Sequence, residues 1–244
     1  MRKNLSLLLL SLLSGACATA HDVKAAVAFG AGTMEHKTHG TALDDTTSAG
    51  YFALGAEAMF SERVGGGIRL EGSASDDDMF AEAVPIATGE ATDSELFFHG
   101  TALFGDEESP LPLRFGLFFR SYGLTQNLGG AELNWSSLGP RLELAPDLEL
   151  AAGDGFRWSL PARLGVGIGM SVAETEPSTE QWNTTMTHLD AGLASRLQFS
   201  QVWFDIGFLV RRTSYAESED VVGVTILGAD TTFTGLVLGF GAKF

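Results

Sequence analysis

Beyond residue 21 the chain repeats one pattern: about ten residues of strict alternation between apolar and polar or small positions, then a turn or a polar stretch. At the end, Thr234, Leu236, Leu238, Phe240, Ala242 and Phe244 share one face, and Gly235, Val237, Gly239, Gly241 and Lys243 share the other. The same period sets Val202, Phe204, Ile206, Phe208 and Val210 against Trp203, Asp205, Gly207, Leu209 and Arg211. It also sets Leu189, Ala191, Leu193, Leu197 and Phe199 against His188, Asp190, Gly192, Arg196 and Gln198. The longest run extends from Phe156 to Val172, with Arg157, Ser159, Arg163, Gly165, Gly167 and Gly169 on its second face. Period two with one apolar face predicts β-strands, and no helical period competes. Ten strands are predicted, over 22–32, 50–60, 64–75, 95–105, 113–123, 136–150, 156–173, 187–199, 202–213 and 233–244. The segment 136–150 carries Pro140 and Pro146, which cannot donate ladder hydrogen bonds. Counts of eight and twelve stay open.

A soluble sandwich also alternates, but its strands run about five or six residues and its second face is solvated. These strands run about ten, the length that crosses a bilayer when tilted. Their second faces carry Gly, Arg, Glu and Asp, which suits a polar lumen. Aromatics near the strand ends (Tyr51, Phe60, Phe104, Tyr122, Trp158, Phe199, Trp203, Tyr215) suit interfacial girdles. Backbone groups in hydrocarbon must be paired, so such strands close into a barrel. The expected fold is therefore all-β, a closed antiparallel transmembrane β-barrel. The connections alternate accordingly: 61–63, 106–112, 151–155 and 200–201 are short, while 33–49, 76–94, 124–135, 174–186 and 214–232 are long. Short turns are expected on the inner side of the membrane and long acidic loops outside.

The first residues read as an export signal. Arg2 and Lys3 precede an apolar stretch from Leu5 to Leu13, too short to span a bilayer as a helix, and Ala18-Thr19-Ala20 forms a small-x-small cleavage site. The expected division is a signal peptide over 1–20 and a barrel over 21–244. A lipid-modified Cys17 is a rival reading, set against by Ser14 where a lipobox wants Leu. Cys17 is the chain's single cysteine, so cleavage after Ala20 leaves none. One cysteine excludes a disulfide scaffold and a Cys-ligated metal site. Seventeen Phe and four Trp argue against disorder. The net charge of −16 argues against nucleic acid, whose phosphates need a basic face. The long segments hold 17 acidic residues and one basic residue, Lys37.

The signal peptide, the alternating strands, and Phe244 preceded by Leu238 and Phe240 resemble the small outer-membrane β-barrel proteins of Gram-negative bacteria. That resemblance implies a location in the outer membrane among its lipid and lipopolysaccharide. It also implies that Leu238, Phe240 and Phe244 form the signal read by the barrel-assembly machinery.

Candidate chemistry is sparse. The lumen-facing positions hold Arg69, Glu71, His99, Arg114, Arg120, Arg141, Glu143, Arg163, His188, Asp190, Arg196, Asp205 and Arg211, with Glu57 beside them. His188-Leu189-Asp190 offers an imidazole that a carboxylate two residues away could orient. In so Arg-rich a lumen it reads as part of a structural ion-pair network, and no Ser sits in a nucleophile setting. The expectation is a non-catalytic barrel with a mostly packed lumen, the alternative a narrow passive pore, and a lipid-modifying enzyme or protease a distant third. No metal or cofactor is expected in the barrel. Asp76-Asp77-Asp78 lacks the spacing of a calcium loop, and His36 and His39 read as exposed loop residues. The acidic loops could still gather divalent cations that bridge to neighbouring lipopolysaccharide phosphates.

Overall fold

The computed structural model describes residues 22–40, 44–76, 89–106, 110–125, 132–176, 181–218 and 225–244. Residues 1–20, with Cys17 and the cleavage site, lie outside these, as do Asp77, Asp78 and much of the acidic outer loops. Eleven strands follow in order: β1 (Asp22–Thr38), β2 (Asp44–Met59), β3 (Val64–Ser75), β4 (Ala91–Phe104), β5 (Leu111–Thr125), β6 (Glu132–Leu144), β7 (Asp147–Gly153), β8 (Phe156–Glu176), β9 (Gln181–Phe199), β10 (Val202–Tyr215) and β11 (Ala229–Lys243). Every neighbour is antiparallel, β11 pairs with β1, and β6 pairs with β8, so the sheet closes. The barrel has ten staves, because β6 and β7 are two halves of one.

The prolines shape that stave without breaking closure. Ala145-Pro146 separates β6 from β7. The β6–β8 ladder skips Gly139 and Pro140, and the β8–β9 ladder skips Leu160 and Pro161, where a proline lacks the N–H that a rung needs. The seam is tied at its end by the Phe244 N–H, which donates to the Val23 carbonyl at 2.8 Å.

The strands run beyond the predicted limits at the long-loop end. Residues 33–38, 44–49, 91–94, 132–135, 181–186 and 229–232, expected in loops, continue the ladders. The outward faces show why. On β9 the exposed outward residues run Gln181, Asn183, Thr185 and Thr187, then Leu189, Ala191 and Leu193 down to Phe199. On β1 the outward residues run Phe29 and Ala31, then Thr33, the half-buried Glu35 and Lys37. From Leu189 to Phe199 is about 33 Å of strand, or about 25 Å of height at the usual tilt, which matches the apolar band of such barrels. The remaining strand length extends past the apolar band, and there the alternation inverts: the outward face turns polar while Met34, Trp135, Trp182 and Met186 are buried inward.

One part of the girdle assignment fails. Phe60, Phe104, Trp158 and Phe199 are 40 % or more exposed and ring the end with the short turns, but Tyr51, Tyr122, Trp203 and Tyr215 are at most 7 % exposed and point inward. They share the parity of the lumen residues, and strand parity decides the facing.

Phe244 is 75 % exposed at the inner end of the seam. Its deletion removes one rung only. The truncated chain is expected to refold in detergent or lipid but to reach the outer membrane poorly, which quantitative immunoblotting of membrane fractions would measure. Normal outer-membrane levels would argue against the assembly signal, and failure to refold would make the residue's role structural.

Candidate functional site

The lumen residues read from the alternation face inward, and the structure joins most of them into one network, with Arg196 and Asp205 as a separate pair. Arg141, buried on β6, reaches three carboxylates: Glu95, Glu143 and Asp190. Arg120 on β5 reaches Asp93 and Glu95. Arg163 bridges Glu71 at 3.1 Å and Asp190 at 2.6 Å. Arg69 chelates Glu143 with two hydrogen bonds, of 2.6 and 2.9 Å, and Arg114 links Glu143 to Glu57. Arg211, 1 % exposed, lies 3.9 Å from both Glu71 and Asp93. Tyr51 donates to Glu71 at 2.8 Å. Phe97 lies under Arg69 and Arg141, with ring centroid distances of 5.4 and 5.1 Å. Nearer the inner end Arg196 pairs with Asp205.

The lumen is rich in arginine and also charge-balanced. Asp93 and Glu95, with Glu57, Glu71, Glu143, Asp190 and Asp205, match the seven arginines one for one among the described residues. Asp93 falls in the stretch 76–94 that reads as a loop, and Glu95 is the first residue of the expected strand 95–105, with no alternation before it to fix its facing. The signal was present: Asp93, Glu95, Phe97, His99 and Thr101 continue one parity.

The glycine-lined face of β8 is likewise filled. A Cβ at Gly165 would collide with the Asp190 carboxylate, and Cβ atoms at Gly167 and Gly169 would press on the Phe118 ring at 3.0 and 3.1 Å. These glycines make room for the Arg141–Asp190 pair and for Phe118.

His188 is fully buried. Its Nδ1 accepts from Arg120 at 2.8 Å, which leaves the N–H at Nε2, 3.6 Å from both Glu95 and Asp190. The imidazole thus lies between an arginine and two carboxylates, fully buried, with no open side for a substrate. His99 lies against Phe97 and near Thr101, whose hydroxyl donates to Glu57.

Above the ionic layer an aromatic layer closes the lumen. Tyr122, Trp135 and Tyr215 are at most 2 % exposed and stack at 5.3 to 6.1 Å. His36 joins them. It lies on β1, 2 % exposed, with Nδ1 2.7 Å from the Tyr122 hydroxyl, whereas the sequence placed it in an exposed loop. His39 is exposed at the strand tip beside Asp230. Among the described residues no three His, Cys, Asp or Glu side chains converge as a metal site.

His36 stands above the apolar band, level with Glu35 and Lys37. Burial pushes its imidazole down from 6.5 to about 4, against the pull of Asp44 and Asp230. The folded value lies below the unfolded one, so this site supports the fold fully above about pH 6.5 and progressively less as pH falls toward 4. The difference in stability between the parent and His36→Asn is expected to shrink over that window, read by denaturant titration at stepped pH. A pH-independent difference would count against a neutral His36.

No family model matches the chain, and no curated protein sequence matches it. Solved structures do. The outer membrane protease OmpT of Escherichia coli is 11 % identical, with 93 % of this chain and 98 % of that one aligned at a TM-score of 0.55. The translocator domain of the autotransporter NalP of Neisseria meningitidis is 12 % identical, over 99 % and 96 %, at a TM-score of 0.45. The attachment invasion locus protein Ail of Yersinia pestis is 14 % identical, over 91 % and 99 %, at 0.30. The closed ten-stave sheet with its outward apolar band thus has the same barrel fold as OmpT.

Proposed function

We propose that the protein is a closed, non-catalytic barrel of the outer membrane, with a lumen that serves as a structural plug and with its partners met at the rims. The observation that carries this reading is the pair of layers across the lumen. Twelve ionised groups, from Glu57 to Arg211, are tied to one another, beneath the stacked Tyr122, Trp135 and Tyr215. Ten strands enclose little space to begin with. A porin of the same size needs a continuous aqueous path, and these side chains occupy its middle.

The same contacts speak against hydrolysis. OmpT is a protease, but here the groups that resemble an acid–base pair, His188 with Asp190 and Asp93 with Glu95, each face a buried arginine and not a groove. The acidic outer segments are left as the surface that meets divalent cations and lipopolysaccharide. The test is electrical. The purified protein in planar bilayers is expected to give no steady open-channel current. Regular conductance steps from the unmodified protein would replace the plug with the narrow-pore reading.

A further inference from the structure

Below the plug the lumen is open. A cavity of about 400 Å³ reaches from Tyr51 and Arg163 to the inner end, a size that holds small ligands. One wall is small and apolar: Ala26 and Ala28 of β1, Ala53 and Gly55 of β2, Val237 and Gly239 of β11. Its carboxylates already have partners: Glu57 binds Arg114 and Thr101, Asp147 binds Arg157, and Asp205 binds Arg196. Three of its donor groups are left over. At the deep end Arg163 Nη2 is buried and lacks an acceptor among the described residues. At the mouth the Trp203 indole is 7 % exposed and its Nε1–H has none either. Two residues nearer the strand end than Ala26, which faces Trp203 across Gly241, Lys24 lines the cavity with no carboxylate within 4 Å among the described residues. Arg163 is level with Gly192 and Trp203 with Gln198, so the two sets of donors are six residues apart along β9, about 20 Å of strand. Unmet donors at both ends of an apolar wall call for a ligand with an acceptor at each end.

We propose that this cavity binds an elongated organic anion of the aliphatic dicarboxylate class, admitted from the inner end. One carboxylate accepts from Lys24 and Trp203 at the mouth, the other from Arg163 at the floor, and the methylene chain lies along the Ala/Gly wall. The proposal goes beyond the plug reading and is tested at equilibrium, so a conducting lumen would not decide it.

The experiment is calorimetric titration of the full-length barrel in lipid nanodiscs, with empty nanodiscs as the blank and sebacate, decanoate and 1,10-diaminodecane as probes. Sebacate is expected to bind saturably at one site, decanoate at least tenfold more weakly, and the diamine not at all. Gly55→Phe should abolish sebacate binding by filling the cavity. Its Cβ would meet only the Ile68 carbonyl, at 3.8 Å, so the fold is expected to accept it. Trp203→Phe removes the N–H together with the five-membered ring, and Lys24→Ala removes the ammonium. Each should weaken sebacate about tenfold. No saturable sebacate binding, equal binding of the diamine, or unchanged affinity in Trp203→Phe and Lys24→Ala would overturn the proposal. Decanoate binding as tightly as sebacate would overturn the two-ended arrangement.

Discussion

Arg141→Leu is expected to destabilise the folded barrel by about 3–5 kcal/mol. The guanidinium touches Glu95, Glu143 and Asp190 at once, and the side chains of all four are fully buried. Bringing these charges out of water is itself costly, so the network as a whole is weak evidence of net stabilisation. Removing one cation is a different matter, because it strands carboxylates in a space that water does not fill. Glu143 keeps Arg69 and Arg114, Glu95 keeps Arg120, and Asp190 keeps Arg163, but each loses its shared partner. Adding Glu95→Gln and Asp190→Asn to the Leu variant should therefore recover part of the loss, since neutral amides have less to lose than stranded anions. Arg196→Leu is the contrast: its pair with Asp205 is about a quarter exposed at the cavity, and its loss should cost about 1 kcal/mol or less. Urea titration in lipid vesicles, followed by tryptophan fluorescence, reads all four proteins. Equal losses for Arg141→Leu and Arg196→Leu would mean that the centre of the lumen is as wet as its mouth.

How much of this network the sequence carries depends on where the bilayer is. Inside the apolar band one face must be hydrophobic, so the parity of Leu164, Val166 and Ile168 identifies Arg163, Gly165 and Gly167 as inward without any structure. Outside the band the outer face turns polar and the pattern inverts, with Met34, Trp182 and Met186 facing in, so the outward apolar period disappears. Asp93-Ser94 and Glu35-His36-Lys37 read as loop for that reason, though their ladders continue. Asp93 is hidden in this way, Glu95 stands at the very edge of the expected strand, and without the two the charge balance does not show. The aromatics failed for a related reason. A Tyr or Trp near a strand end satisfies a girdle and a lumen cap equally well in composition, and only the parity counted from Phe118 and Arg120 to Tyr122, or from Arg211 and Thr213 to Tyr215, separates them. That parity was legible but outweighed by position. The inner cavity was half legible: the inward Ala and Gly of β1, β2 and β11 announce space, but which glycines face space and which face Arg141 or Phe118 depends on partners several strands away.

Val166→Arg is expected to cost about 2–4 kcal/mol in lipid, and it tests the facing from the other side. Val166 is 44 % exposed on β8, between Leu164 at 56 % and Ile168 at 58 %. Its cross-strand neighbours are Leu142 on β6 and Leu189 on β9, both exposed and apolar. Nothing polar is within reach, so an arginine there must either snorkel along the barrel wall or thin the bilayer around it. A soluble barrel with this same surface would accept the substitution readily, because the guanidinium would meet water. Asn183→Arg supplies the internal control. Asn183 faces outward on β9 with the same parity as Leu189, but it lies among Gln181 and Thr185 above the apolar band. Its replacement should change stability by about 1 kcal/mol or less, the depth dependence expected near an interface. The two variants differ in height and not in facing, so their difference in urea titrations in vesicles isolates the lipid. A cost for Val166→Arg that disappears when the same protein is measured in detergent would still place the band in hydrocarbon, since a micelle deforms more easily than a bilayer. Equal, small costs in the bilayer would remove the membrane from around Leu164–Ile168 altogether.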